Sequence, residues 1–125
     1  DGHHVAWPSF QAAFRAIGPQ RMMLVTDAMA TIGSARDAFE LFGETIRVSE
    51  GRLVNAEGRL AGAHLDMNAA ILNAHRHGGA TLAEALAMAS TAPAAYLGLS
   101  GSHGRIAPGR KAIFSVLRTA ALSSA

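Results

Sequence analysis

The run MMLVTD, residues 22–27, sets a carboxylate at the end of four large apolar residues. An ionised carboxylate taken out of water costs several kcal/mol unless it is paired, hydrogen-bonded or beside a cation, so its place at the end of a buried-looking run asks for a chemical reason. Asp27 could act as a general base and acid, taking a proton from water and returning it to a leaving group. Thr26 beside it can donate a hydrogen bond, and the small residues Ala28, Ala30 and Gly33 would let a ligand come close. The same aspartate could instead cap the segment that follows, and position alone leaves both readings open.

Earlier in the chain stands DGHHV, residues 1–5, with two adjacent histidines. Neighbouring side chains on an extended loop point to opposite sides, so His3 and His4 are poorly placed to share one ion. Taken singly they read as polar loop residues. His75 and His77 flank Arg76 at a helix C-terminus, where cations favour the dipole, and His103 lies in a Gly/Ser turn that predicts exposure. There is no cysteine, which excludes thiol catalysis, disulfides and a cysteine-ligated zinc site. Zinc held by histidine and carboxylate remains open.

Positioning Asp27 requires regular elements on either side of it. WPSFQAAFRAIGP, residues 7–19, predicts a short helix: Pro8 suits the first turn, Phe10, Phe14 and Ile17 share a face, and Gly18 with Pro19 supplies the stop. Met22 to Val25 then read as a strand covered on both faces, as in a parallel sheet, and ligands meet such sheets at the C-terminal strand ends. From Phe42 to Leu60 apolar and polar residues alternate, with turn signals at Glu50-Gly51 and Glu57-Gly58, which predicts a β-hairpin. A helix capped by Asp66 follows, with Met67, Ala70, Ile71 and Ala74 as its buried stripe and Gly78-Gly79 at its end. Thr81 and Glu84 match a capping box opening a helix through about Ser90. Pro93 starts a further short helix ended by Gly98, and Ala112–Leu117 reads as a strand.

The composition narrows the class of protein. The chain has 125 residues, 50% of them hydrophobic, enough for one domain with a core. The formal charge is only +2 and no basic stripe marks a nucleic-acid surface. No apolar run reaches the roughly 20 residues that span a bilayer, and no signal peptide is visible. The opening on DGHHV, with no initiating methionine, looks like the middle of something longer.

Read together and in order, DGHHV, LVTDAM, GRLAGAHLDM, LAEALAMASTAPAAYLGL and GRIAPGRKA resemble the C-terminal part of the N-acetylglucosamine-6-phosphate deacetylases of the amidohydrolase superfamily. That resemblance implies an α/β fold, the C-terminal part of a metal-dependent (β/α)8 TIM-type barrel with a β-hairpin excursion and part of a small β-sandwich. Residues 1–41 would hold the loop after strand 7, a helix and strand 8; residues 42–63 the hairpin excursion; residues 64–98 the C-terminal barrel helices; residues 99–125 incomplete sandwich strands. It further implies that Asp27 is the general base and acid, that Asp1, Gly2, His3 and His4 form a substrate loop, and that the backbone of Leu60, Ala61 and Gly62 lies against the sugar. His64 stands where many such proteins carry a small polar residue, so no role is assigned to it.

The resemblance also says what this segment lacks. The family's divalent metal, zinc or similar, is held by a glutamate and two histidines on earlier strands, so no metal ligand is expected in this chain. The tail departs from the pattern too, with KAIFSV at residues 111–116 where an acidic residue is usual. The expectation is therefore a segment of a longer enzyme, or one completed by a second chain, and inactive alone. The complete enzyme would be a cytoplasmic homodimer that hydrolyses N-acetylglucosamine 6-phosphate to glucosamine 6-phosphate and acetate, without nucleic-acid or membrane partners. Two other readings stay open: an amidohydrolase for a different amide, and an inactive packing or oligomerisation module.

Overall fold

A computed structural model of the chain describes residues 1–116, and all structural statements concern these. Helix α1, Trp7–Ile17, carries Pro8 in its first turn and ends at Gly18, whose N–H bonds the Phe14 carbonyl at 2.9 Å. Phe10 and Phe14 share a face as predicted, their rings stacked with centroids 6.4 Å apart. Ile17 does not join them in the core and is 47% exposed.

The predicted strand at Met22–Val25 is extended chain that pairs with no strand among the described residues. One of its faces is covered: Met22 and Leu24 pack on the core, and the Leu24 N–H bonds the Met88 carbonyl at 3.0 Å. The other face is open, with Val25 78% exposed. The apolar run fits a strand sandwiched between layers, but burial on both faces needs atoms on both sides, and only one layer is present here.

The antiparallel unit is a three-stranded meander rather than a single hairpin: β1 (Ala38–Leu41), β2 (Glu44–Ser49) and β3 (Arg52–Val54), in that spatial order. It therefore begins before residue 42, at Ala38. Two tight turns join the strands, Phe42-Gly43 and Glu50-Gly51, and all four of these residues have positive φ. Such turns match the right-handed twist of the strands they connect. Phe42, which looked like the first apolar strand residue, sits on the first turn and is 99% exposed. A third reversal spans Asn55 to Gly58 and returns the chain beside β3, where the Ala61 N–H bonds the Leu53 carbonyl at 3.0 Å. Ile46, Leu53 and Val54 are the buried side chains of this unit.

Helices α2 (Met67–Arg76), α3 (Leu82–Ala89) and α4 (Thr91–Tyr96) follow. The Asp66 carboxylate accepts from the Ala69 N–H at 2.7 Å, and the buried stripe is Ala70, Ile71, Leu72 and Ala74, with Met67 only partly covered. The turn after α2 presses Gly78 on the Phe10 ring and the Ala74 carbonyl, leaving no room for a Cβ. Ile71, Ala74, Ala80, Ala85 and Met88 form the main core, and Phe10, Phe14, Met22 and Leu24 pack on it. Small residues let α2 and α3 approach closely, while Met88 fills the gap between them. Helix α4 starts two residues before Pro93 and ends before Gly98. The predicted strand near the C-terminus does not form over residues 112–116; Leu117 lies outside the described residues.

The capping box at α3 is complete. The Glu84 N–H donates to the Thr81 hydroxyl at 3.3 Å, and the Glu84 carboxylate accepts from the Thr81 backbone N–H at 2.8 Å and from its hydroxyl at 2.8 Å. These donors, the backbone N–H first, hold the Glu84 carboxyl below its usual range. A carboxyl depressed on folding stabilises the fold above its unfolded pKa, and that contribution disappears as pH falls through the folded value. Glu84→Gln should therefore be less stable than the parent at neutral pH in denaturant titrations. The gap should close on acidification below the ordinary glutamate value; a gap constant with pH would refute the assignment.

Candidate active site

The extended segment delivers Asp27 to a turn, and the backbone there is unusual for a side-chain-bearing residue, with φ +52°. Aspartate tolerates this left-handed region better than most residues. What fixes the turn is pairing with the chain that leaves the meander: the Ala63 N–H bonds the Asp27 carbonyl at 3.0 Å, and the Met29 N–H bonds the Ala63 carbonyl at 3.3 Å. Ala28 and Ala63 thereby form a parallel bridge. Gly62 makes the approach possible. At φ +84° it lies against Met29, and a Cβ there would overlap Met29 Cγ and come within 2.9 Å of its Sδ.

Thr31 and His64 add a side-chain contact between the same two chain segments. Thr31 is the one buried polar residue among the described residues, 2% exposed, and its hydroxyl meets His64 Nδ1 at 2.8 Å. Sequence reasoning left His64 without a role and did not single out Thr31. A hydroxyl and an imidazole 33 positions apart carry no local signal of pairing.

The Asp27 carboxylate itself is exposed rather than buried, and it has no hydrogen-bond or ion-pair partner among the described residues. Burial was inferred from the apolar run; the run is covered on one side only, and the left-handed turn takes Asp27 out of it. It borders a cleft of about 300 Å³, whose other walls include Met22–Thr26, Trp7, Phe10, Ala63, Leu65 and α2. Asp1 and His4 line the same cleft. The fold thus brings together three side chains capable of acid–base chemistry or hydrogen bonding, two of them 23 and 26 residues from the third, in an otherwise largely apolar recess.

The remaining predicted contacts are placed differently. Gly2, at φ +81°, packs on the Trp7 indole, where a Cβ would lie 2.8 Å from Nε1. His3 is exposed and does not line the cleft. Leu60 and Ala61 belong to the meander edge, Leu60 bridging Val54, while Gly62 touches the Asp27 turn from outside the cleft. Trp7, the only tryptophan, is the feature sequence reasoning passed over: it supports the DGHH loop and lies against the His77 ring at 5.2 Å. His75 is exposed, as a solvated helix end would be, with Nδ1 2.9 Å from the Ala80 carbonyl. His103, by contrast, is partly buried rather than exposed, Nδ1 lying 2.8 Å from the Ser102 hydroxyl.

A divalent cation of the kind amidohydrolases use needs about three side-chain donors. Among the described residues no group of three or more histidines or carboxylates is placed to hold one. Asp1 is already engaged with His4, and Asp27 stands without a second carboxylate free to join it. These residues do not form a metal centre by themselves. Nor is any described helix long and apolar enough to cross a membrane.

The model of the Amidohydrolase family matches residues 9–124, and the protein belongs to that family. More particularly, it is 38% identical over 112 residues to a putative N-acetylgalactosamine-6-phosphate deacetylase of Escherichia coli K12, covering 90% of this chain and 66% of that protein. The crystal structure of N-acetylglucosamine-6-phosphate deacetylase from Pasteurella multocida superposes with a TM-score of 0.82 at 31% identity, over 88% of this chain and 29% of that one. The D267A mutant of the Mycobacterium smegmatis N-acetyl-D-glucosamine-6-phosphate deacetylase, solved in complex with N-acetyl-D-glucosamine-6-phosphate, gives 0.77 at 31% identity over 89% and 30%. The chain spans less than a third of the length of these two solved structures.

Because Gly62 carries the closest approach at the Asp27 turn, Gly62→Ala should force Met29 aside and strain the backbone. A loss of about 1–3 kcal/mol in unfolding free energy is expected. Wild-type stability in this variant would show that the junction is not tight.

Proposed function

We propose that residues 1–125 form the C-terminal part of a (β/α)8-barrel deacetylase acting on N-acetylhexosamine 6-phosphates. The supporting observation is that Asp27, whose carboxylate has no partner among the described residues, lines the same cleft as His4. This occurs in a chain similar over nine-tenths of its length to proteins named for that reaction. Residues 1–41 would carry the barrel's last loop, helix and strand, residues 42–63 the excursion, residues 64–98 the closing helices, and the remainder part of the sandwich. The open face at Met23 and Val25 and the unpaired edge of the extended segment would then be covered by the rest of the barrel, in the same or a second chain, within a homodimer. An exposed strand edge with apolar side chains favours such pairing.

In this reading Asp27 takes a proton from the attacking water as the water oxygen bonds the amide carbon. It hands that proton to the nitrogen as the C–N bond breaks, giving acetate and the free amine. Its exposed carboxylate suits both halves of the transfer. His4 contacts the sugar, and Gly62 and Ala63 hold the turn that aims Asp27. The divalent cation implied by the family would be held by residues other than those described.

Relatives are named for both the gluco and the galacto sugar, which differ only in configuration at C4. Acetate release from both 6-phosphates, and from the unphosphorylated sugars, therefore tests the substrate class. In the complete protein Asp27→Asn should lower kcat by about 10²–10⁴-fold while KM stays within about threefold. Unchanged turnover would remove Asp27 from the chemistry. Preference for an unrelated amide would favour a different amidohydrolase, and absence of any acetate release would favour a packing module.

A further inference from the structure

We infer that Asp1 acts on the bound ligand through His4, as a positioning residue that fixes the imidazole proton on Nδ1 and leaves Nε2 as the ring atom available to the ligand. The inference builds on the proposed function, because it names what His4 offers the sugar.

Both oxygens of the Asp1 carboxylate are committed within its own loop. Oδ1 accepts from the His3 N–H at 3.0 Å and from the His4 N–H at 3.1 Å. Oδ2 lies 2.5 Å from His4 Nδ1. An ionised carboxylate can only accept hydrogen bonds, so the proton between these atoms sits on Nδ1. In the neutral ring Nε2 is then an acceptor, and its partner must be a donor: a hydroxyl or an amide N–H, both of which an N-acetylhexosamine carries. The other tautomer would offer a donor at Nε2, which a hydroxyl oxygen can still meet but an amide N–H cannot. With three bonds made and its side chain 14% exposed, Asp1 has little capacity left to contact substrate itself. Its effect passes through His4, whose side chain is 37% exposed and lines the cleft. Gly2 and Trp7 keep the loop in place: the positive φ and the missing Cβ let the backbone rest on the indole.

The test uses the complete protein with histidine labelled at both ring nitrogens. Nitrogen NMR, at a pH where the ring is neutral, should find His4 protonated at Nδ1 and bare at Nε2. Asp1→Ala should move the proton to Nε2 and raise KM for an N-acetylhexosamine 6-phosphate about tenfold, with a smaller change in kcat. Asp1→Asn keeps a carbonyl acceptor and should retain the parent tautomer and most of the affinity. A parent ring protonated at Nε2 overturns the inference, whatever the variants do. So does an Asp1→Ala protein whose tautomer and KM are those of the parent. The tautomer is read without turnover, so a complete protein that hydrolyses no amino-sugar phosphate would defeat the proposed function while leaving the Asp1–His4 assignment standing.

Discussion

Two backbone hydrogen bonds, from Ala63 to Asp27 and from Met29 to Ala63, hold the arrangement together. They join the end of the extended segment to the end of the meander, 36 residues later in the chain. Everything between them is a loop closed by that contact, including the 29–34 turns and all three strands. The entropic cost of closing so long a loop grows only slowly with its length. It is offset by the buried residues of the meander, by the Thr31–His64 pair and by the close packing that Gly62 allows. Without the junction Asp27 would sit on a mobile connection; with it, a carboxylate on an exposed turn has a defined direction.

The helical layer supplies the rigid side of the cleft. Its core is built of alanine, one isoleucine and one methionine, so α2 and α3 pack at short range. Phe10 and Phe14 of α1 pack on this core. The polar groups that the proposed chemistry needs stand at the ends of these elements: His4 before α1, Asp27 after the extended segment, Ala63 before α2. Loops at the ends of rigid elements can vary in sequence without loss of the scaffold, which is why such positions carry chemistry. The apolar recess between them is open on the Val25 side, the side that pairing with further strands would close.

Much of the helical structure was legible because its signals are local. Pro8, Asp66, the Thr81–Glu84 box and the glycines at 18, 79 and 98 each mark an end through one or two hydrogen bonds or a single backbone angle, and these depend on residues within about one turn. The meander was only partly legible. Its alternation was clear, but Phe42 and Leu41 are both apolar and adjacent, and only pairing decides which of them stands on the turn. The Met22–Val25 run was misleading for a different reason. Four apolar residues specify that burial would be favourable, not that another layer is there to provide it.

The sequence by itself determined most helix boundaries (though not the start of α4), the residue types able to move a proton and the family to which the chain belongs, since these rest on short-range bonding and on ordered motifs. Only the tertiary structure decided that Asp27 is exposed at a left-handed turn, that His4 and Asp1 line the same cleft as Asp27, and that Leu60 and Ala61 lie at the meander edge. It also decided that Thr31 is buried against His64 and that Trp7 carries the DGHH loop. Each of these is a contact between residues brought together by chain closure, and its free energy depends on which surfaces remain uncovered once the layers have packed.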